Sequence, residues 1–199
     1  MRTSIRYRDF QPDSRDYDVV SKLEGVAAGF SVNPRGRIYG VHCNGEFADS
    51  DVPILLSIDG LLEVTVVMFP HRTPRFTQIG FRELMTHPSI FGFGCSRNQF
   101  LGDGIARSAA SSRRLRRLII PGCPMTDVGV RELAENSMFQ ALSLAGSSIS
   151  DVCVPDLCRL TELRELDVSS TTLADASLDL LLSKLVKCHK FRPQRPAQE

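Results

Sequence analysis

The side chains able to do chemistry in this chain are scattered, and their spacing argues against most reactions. Four histidines, His42, His71, His87 and His189, stand in dissimilar contexts. His42 adjoins Cys43, but consecutive residues on a strand point to opposite faces, which separates the imidazole from the thiol it would activate. Cys153 and Cys158 are five apart on an expected helix, a spacing that does not stack on one face, and no C-x-x-C or H-x-x-x-H pair occurs. No G-x-S-x-G, phosphate-loop or G-x-G-x-x-G string is present. Neither a nucleophile–base pair nor a metal or cofactor site is expected, and the chain reads as a non-enzyme.

Charged residues offer more. Arg113, Arg114, Arg116 and Arg117 stand together, and Lys184, Lys187, Lys190, Arg192 and Arg195 punctuate the C-terminal stretch. Such runs suit phosphate or an acidic peptide. Asp127, Glu132 and Glu135 lie close to the first run, so the plainer reading is a solvated face. A third candidate is FPHRTPRF, Phe69 to Phe76, where His71, Arg72, Arg75 and Phe76 make up an aromatic and basic contact patch. It interrupts a regular array, and insertions in repeats map to surface loops.

That array is what must position these residues. LRRLIIPGCPMTDVGVREL (Leu115 to Leu133) recurs as FQALSLAGSSISDVCVPDL from Phe139 and as LRELDVSSTTLADASLDLL from Leu163, with starts 24 residues apart. Asp127, Asp151 and Asp175 hold the same place in each. Earlier units are looser: IYGVHCNGEFADSDVPIL from Ile38, LLEVTV from Leu61, and IFGFGCSRN from Ile90. IGFREL (Ile79 to Leu84) nearly duplicates VGVREL (Val128 to Leu133). In the clearest unit Leu118 and Ile120 alternate with Arg117 and Ile119, which predicts a short strand with one apolar face. Pro121, Gly122 and Pro124 mark a turn. Thr126 then caps a helix carrying Asp127 in its first turn and Val130 and Leu133 on one stripe. One such unit cannot cover its own apolar side, so neighbours must stack into a parallel sheet.

These strings resemble leucine-rich repeats of the ribonuclease-inhibitor-like and bacterial type, which read L-x-x-L-x-L-x-x-T-x-I-T-D-x-G-L. The resemblance implies an α/β solenoid of strand–turn–helix units with its parallel sheet on a concave face. It also implies a helix and turn before the first strand, and a role as a protein-interaction scaffold with an unidentified protein partner. G-C-P-M-T-D, Gly122 to Asp127, is also similar to the cysteine-containing repeats of F-box proteins, which recruit substrates for ubiquitin ligases. The residues before Ile38 lack an F-box helical pattern. A self-associating array, a homo-oligomer joined through an exposed edge, is the further alternative.

Alternation assigns outward positions on each strand, and thus candidate binding residues: His42 and Asn44; Glu63 and Thr65; Arg117; Ser143; Glu165 and Asp167. Residues 1–35 are read as an N-terminal segment with a cap helix over Asp16 to Ala28, followed by the Asn33-Pro34-Arg35-Gly36 turn. Residues 36–185 are read as six repeats, and 186–199 as a C-terminal cap, with Leu185, Val186 and Phe191 covering the last repeat, and a disordered basic tail. The cysteines fall on core positions: Cys43 and Cys95 sit in the first and third repeats with Val66 between them, too far apart to bridge. Lys plus Arg is 24 against 23 for Asp plus Glu, which gives no global field for nucleic acid or an anionic membrane. No stretch approaches the roughly 18–20 apolar residues of a membrane span. The first residues hold no apolar secretory core, which makes the cytoplasm the default compartment.

Overall fold

A computed structural model describes residues 3–6, 15–68 and 72–193, with the backbone alone described for 3–6. The chain divides into two compact units, Met1–Cys95 and Ser96–Glu199.

The first unit opens with β1 (Thr3–Arg6), α1 (Tyr17–Lys22) and β2 (Ala27–Val32), then β3 (Ile38–Cys43), α2 (Val52–Leu56), β4 (Glu63–Val66), α3 (Gln78–Leu84) and β5 (Gly92–Cys95). β1 and β2 pair antiparallel, as do β2 and β3, while β3, β4 and β5 run parallel. The expected cap helix is therefore much shorter than Asp16 to Ala28. Gly25, at φ +86°, turns the chain out of the helix, and Ala27 and Ala28 enter a strand. Within α1 the core takes Val19, and Leu23 just beyond it, and leaves Tyr17 exposed. The Asn33–Gly36 turn forms as expected: Asn33 Oδ1 accepts the backbone N–H groups of Arg35 and Arg37 at 2.9 and 3.1 Å, and Gly36 takes φ +75°. Asp16, nearly covered, anchors that hairpin by accepting from Arg37 Nε and the Ile38 N–H, both at 3.0 Å. Cys43, Val66 and Cys95 line up in register across the parallel strands.

In the second unit α4 (Ala106–Ser111) precedes β6 (Arg117–Ile119), α5 (Asp127–Leu133), β7 (Ala141–Ser143), α6 (Val154–Cys158), β8 (Glu165–Asp167), α7 (Asp175–Lys184) and β9 (Lys190–Arg192). All four strands are parallel, with Leu118, Leu142, Leu166 and Phe191 in one register row. Leu115, Leu118 and Ile120 are fully covered, as are Val130 and Leu133 on the helix side. Each such side chain is worth about 1.5–3 kcal/mol, which makes the stacked apolar rows the main source of stability. β9 departs from the expected cap. Phe191 occupies the place of a repeat leucine, so the chain adds one more strand, while Val186 stays 83% exposed. The expected disordered end beyond Pro193 lies outside the described residues.

A polar clasp joins successive repeats. Asp103 accepts from Thr126 N and Oγ1 at 2.8 and 2.6 Å, and Asp127 accepts from Ser150 N and Oγ at the same two distances. Thr126 and Ser150 in turn accept from the N–H two residues on and so cap their own helical turns. Asp49 and Thr77 make the same contact in the first unit. At the last repeat Ala174 has no hydroxyl, and only its N–H reaches Asp151, at 2.9 Å. Each clasp thus satisfies helix N-terminal donors and ties two repeats with one carboxylate. This arrangement of strand, turn and helix, repeated with one register, is the leucine-rich-repeat fold.

Candidate interaction surface

In the second unit the outward strand positions form two rows. Arg117, Ala141, Glu165 and Lys190 are direct neighbours across the ladder, and so are Ile119, Ser143, Asp167 and Arg192. Small residues on β7 leave a trough between the long side chains of β6 and those of β8 and β9. The trough has a volume of about 330 Å³, and Ile119, Ser143, Glu165 and Asp167 help line it. Glu165 binds Lys190 Nζ at 2.7 Å and faces Arg117 at 3.9 Å across Ala141. The Lys190 hydrogen bond, aided by the cations of Arg117 and Lys190, holds its carboxyl below the usual value although burial opposes this. Arg192 stands 4.0 Å from Asp167, whose Oδ1 also accepts from Ser169 N and Oγ.

Of the residues expected here, Arg117, Glu165 and Asp167 do come together at one place. Ser143 shares their face but is only 5% exposed, being closed in between Ile119 and Asp167. Lys190 and Arg192 complete the rows, and the alternation reading did not place them there. A signal existed: Lys-Phe-Arg repeats the charged–apolar–charged pattern of Glu-Leu-Asp on β8.

The first unit presents a plainer face. His42 and Thr65 are register partners, and Glu63 lies between Gly40 and Gly92. His42 Nε2 lies 3.0 Å from Ser31 Oγ on β2. Asn44 is committed to its turn: Nδ2 donates to the Gly25 carbonyl and Oδ1 accepts the Glu46 N–H, both at 2.8 Å.

In the expected contact patch Phe69 to Phe76, the place of Phe76 requires correction. His71 lies outside the described residues. Arg72 and Arg75 both turn to Glu46. Phe76 offers no surface at all: it is fully buried, with ring centroids 5.4 Å from Phe47 and 5.9 Å from Phe93. It fills the place that Met125 holds before Thr126. R-F-T-Q-I-G-F against P-M-T-D-V-G-V shows this in the sequence, once the match is extended upstream of IGFREL.

Two of the buried thiols are held in the protonated form. Burial pushes Cys153 up to about 12 and drives Cys43 higher still, with Asp51 adding to the effect, so both stay protonated at neutral pH. Among the described residues no group of three His, Cys, Asp or Glu side chains could hold a metal ion. Nor is any helix among them long and apolar enough to cross a membrane.

No family model matches the chain, and no curated protein matches it. Among solved structures 58 chains do. One is an internalin from Listeria monocytogenes, 14% identical with a TM-score of 0.49, the match covering 73% of this chain and 45% of that one. The chain therefore spans less than half the length of that internalin.

Proposed function

We propose that the chain is a non-catalytic protein-interaction scaffold that binds its partner on the strand face of the second unit. One observation carries this reading: Arg117, Glu165, Lys190, Asp167 and Arg192 stand in two ladder rows around a trough. Strand hydrogen bonds fix their backbones, so a partner meets a preformed pattern of charge with little conformational cost. The ion pairs are solvent-facing and worth little to stability, about 0–1 kcal/mol each. They are free to exchange for pairs with a partner, which supports recognition over a structural role.

The test replaces Ile119, on the strand face, or Val152, 63% exposed on the helix side, with a photo-crosslinking amino acid. Each protein is irradiated in extract of the native cell. A discrete heterologous adduct from position 119 and none from 152 is expected. Adducts from 152 alone, or adducts with a second copy of the chain only, would overturn the reading, the latter in favour of self-association.

A further inference from the structure

Arg113, Arg114 and Arg116 of the first basic run share a rim with Arg164 at the N-terminal ends of the parallel strands in the second unit. The residues entering β6, β7, β8 and β9 are stacked by direct backbone bonds: Gln140 N to Arg116 O, Arg164 N to Gln140 O, and His189 N to Arg164 O, at 2.7, 2.8 and 3.1 Å. Arg113 and Arg114 lie just upstream of Arg116. None of the four arginines at 113, 114, 116 and 164 has a carboxylate partner among the described residues; the Arg116 guanidinium donates instead to the Arg113 and Leu115 carbonyls. The acids of the neighbouring loops are already taken. Glu135 pairs with Arg159 at 3.2 Å and Glu162 with Lys187 at 2.5 Å. In a chain whose formal net charge is only +1, this rim concentrates positive charge with no internal counter-ion. Two exposed apolar side chains sit in the same loops, Met138 at 47% and Val186 at 83%.

We infer that this rim docks an acidic peptide segment that also carries apolar side chains. The inference rests on the interaction-scaffold reading and adds a partner chemistry and a second contact surface. Guanidinium groups bind carboxylates bidentately, and the entry row spans three strand spacings, about 14 Å, or some five residues of extended peptide. Met138 and Val186 match a peptide's apolar side chains and have no counterpart in a phosphate backbone. Apart from the single His189 imidazole, the rim exposes no Phe, Tyr or Trp among the described residues, whereas single-stranded nucleic acid is held by several aromatic platforms on which successive bases stack.

The experiment measures fluorescence anisotropy of a labelled Glu- and Leu-rich peptide of about ten residues, at low salt so that exposed charges are unscreened. A labelled oligothymidylate of equal charge is the second probe. The proteins are the full chain, the triple variant Arg113→Glu, Arg114→Glu, Arg164→Glu, the variant Met138→Ser, and Arg107→Glu as a control charge reversal on α4. Peptide affinity is expected to fall about tenfold or more in the triple variant. It should fall about threefold in Met138→Ser and stay within about twofold in Arg107→Glu. Peptide binding that the triple variant leaves intact, or oligothymidylate binding as tight as the peptide's, would overturn the inference. Thermal melts of all four proteins establish that they are equally folded. Failure here leaves the adduct at position 119 untouched, so the two readings fail separately.

Discussion

Replacing Gly129 with alanine sets two physical effects against each other. Gly129 stands in the first turn of α5, where alanine is the better helix former by about 1 kcal/mol. A methyl group there would stand 2.1 Å from Met125 Sδ and 2.3 Å from Asp103 Oδ1, both well inside the roughly 3.5 Å of ordinary contact. Asp103 would have to withdraw by about 1 Å, beyond reach of Thr126 N and Oγ1, now at 2.8 and 2.6 Å. Losing two hydrogen bonds to a half-exposed carboxylate costs about 1–3 kcal/mol. Crowding the buried Met125 adds about 1–2 kcal/mol. After the propensity gain, the net expectation is a loss of about 1–4 kcal/mol. Urea unfolding followed by circular dichroism would measure it in wild type, Gly129→Ala, Asp103→Ala and the double variant. In the Asp103→Ala background the glycine substitution should cost at least about 1 kcal/mol less, because one of its two clashes is gone. A Gly129→Ala protein as stable as wild type, or more so, would refute the clasp as the reason for this glycine.

Phe76→Ala should lower the unfolding free energy by about 3–5 kcal/mol, as for other buried aromatics; an unchanged urea midpoint would place Phe76 outside the core. Ser147 Oγ is buried without a hydrogen-bond partner among the described residues, so Ser147→Ala should be neutral or stabilising by up to about 1 kcal/mol, and a clear loss in the same assay would point to a missed partner. Burial alone would raise the Asp127 carboxyl, but the hydrogen bonds from Ser150 hold it below its ordinary 3.8. The folded chain thus takes up this proton less readily than the unfolded one. The clasp's contribution is complete above about pH 5 and is lost as pH falls through the lowered folded value. Urea midpoints between neutral pH and about pH 3 should therefore drop more steeply for wild type than for Asp127→Asn.

How far the residues speak for themselves differs along the chain. In the second unit, period-2 alternation at Leu118 and Ile120, the cap at Thr126 and the stripe of Val130 and Leu133 each follow from local chemistry, and the structure repeats them with fixed spacing. Ahead of the first repeat the signal was weaker. Tyr17, Val20 and Leu23 have helical spacing, yet the helix stops after Lys22, and Gly25 at positive φ turns the chain into β2. Phe76 shows a different limit: its polar and basic neighbours read as a surface loop, while its place before Thr77 is a core position of the repeat.

What the sequence determined by itself was the repeat, since side-chain periodicity and capping act within a few residues of one another. Which repeat carboxylate reaches which hydroxyl, and that Asp103 and Met125 leave no room for a side chain at Gly129, was decided by stacking. So was the placing of Arg113, Arg114 and Arg116 on one rim with Arg164, which stands across Gln140 from Arg116. These residues are distant in the chain and come onto one surface only because parallel strands set successive repeats about 4.8 Å apart.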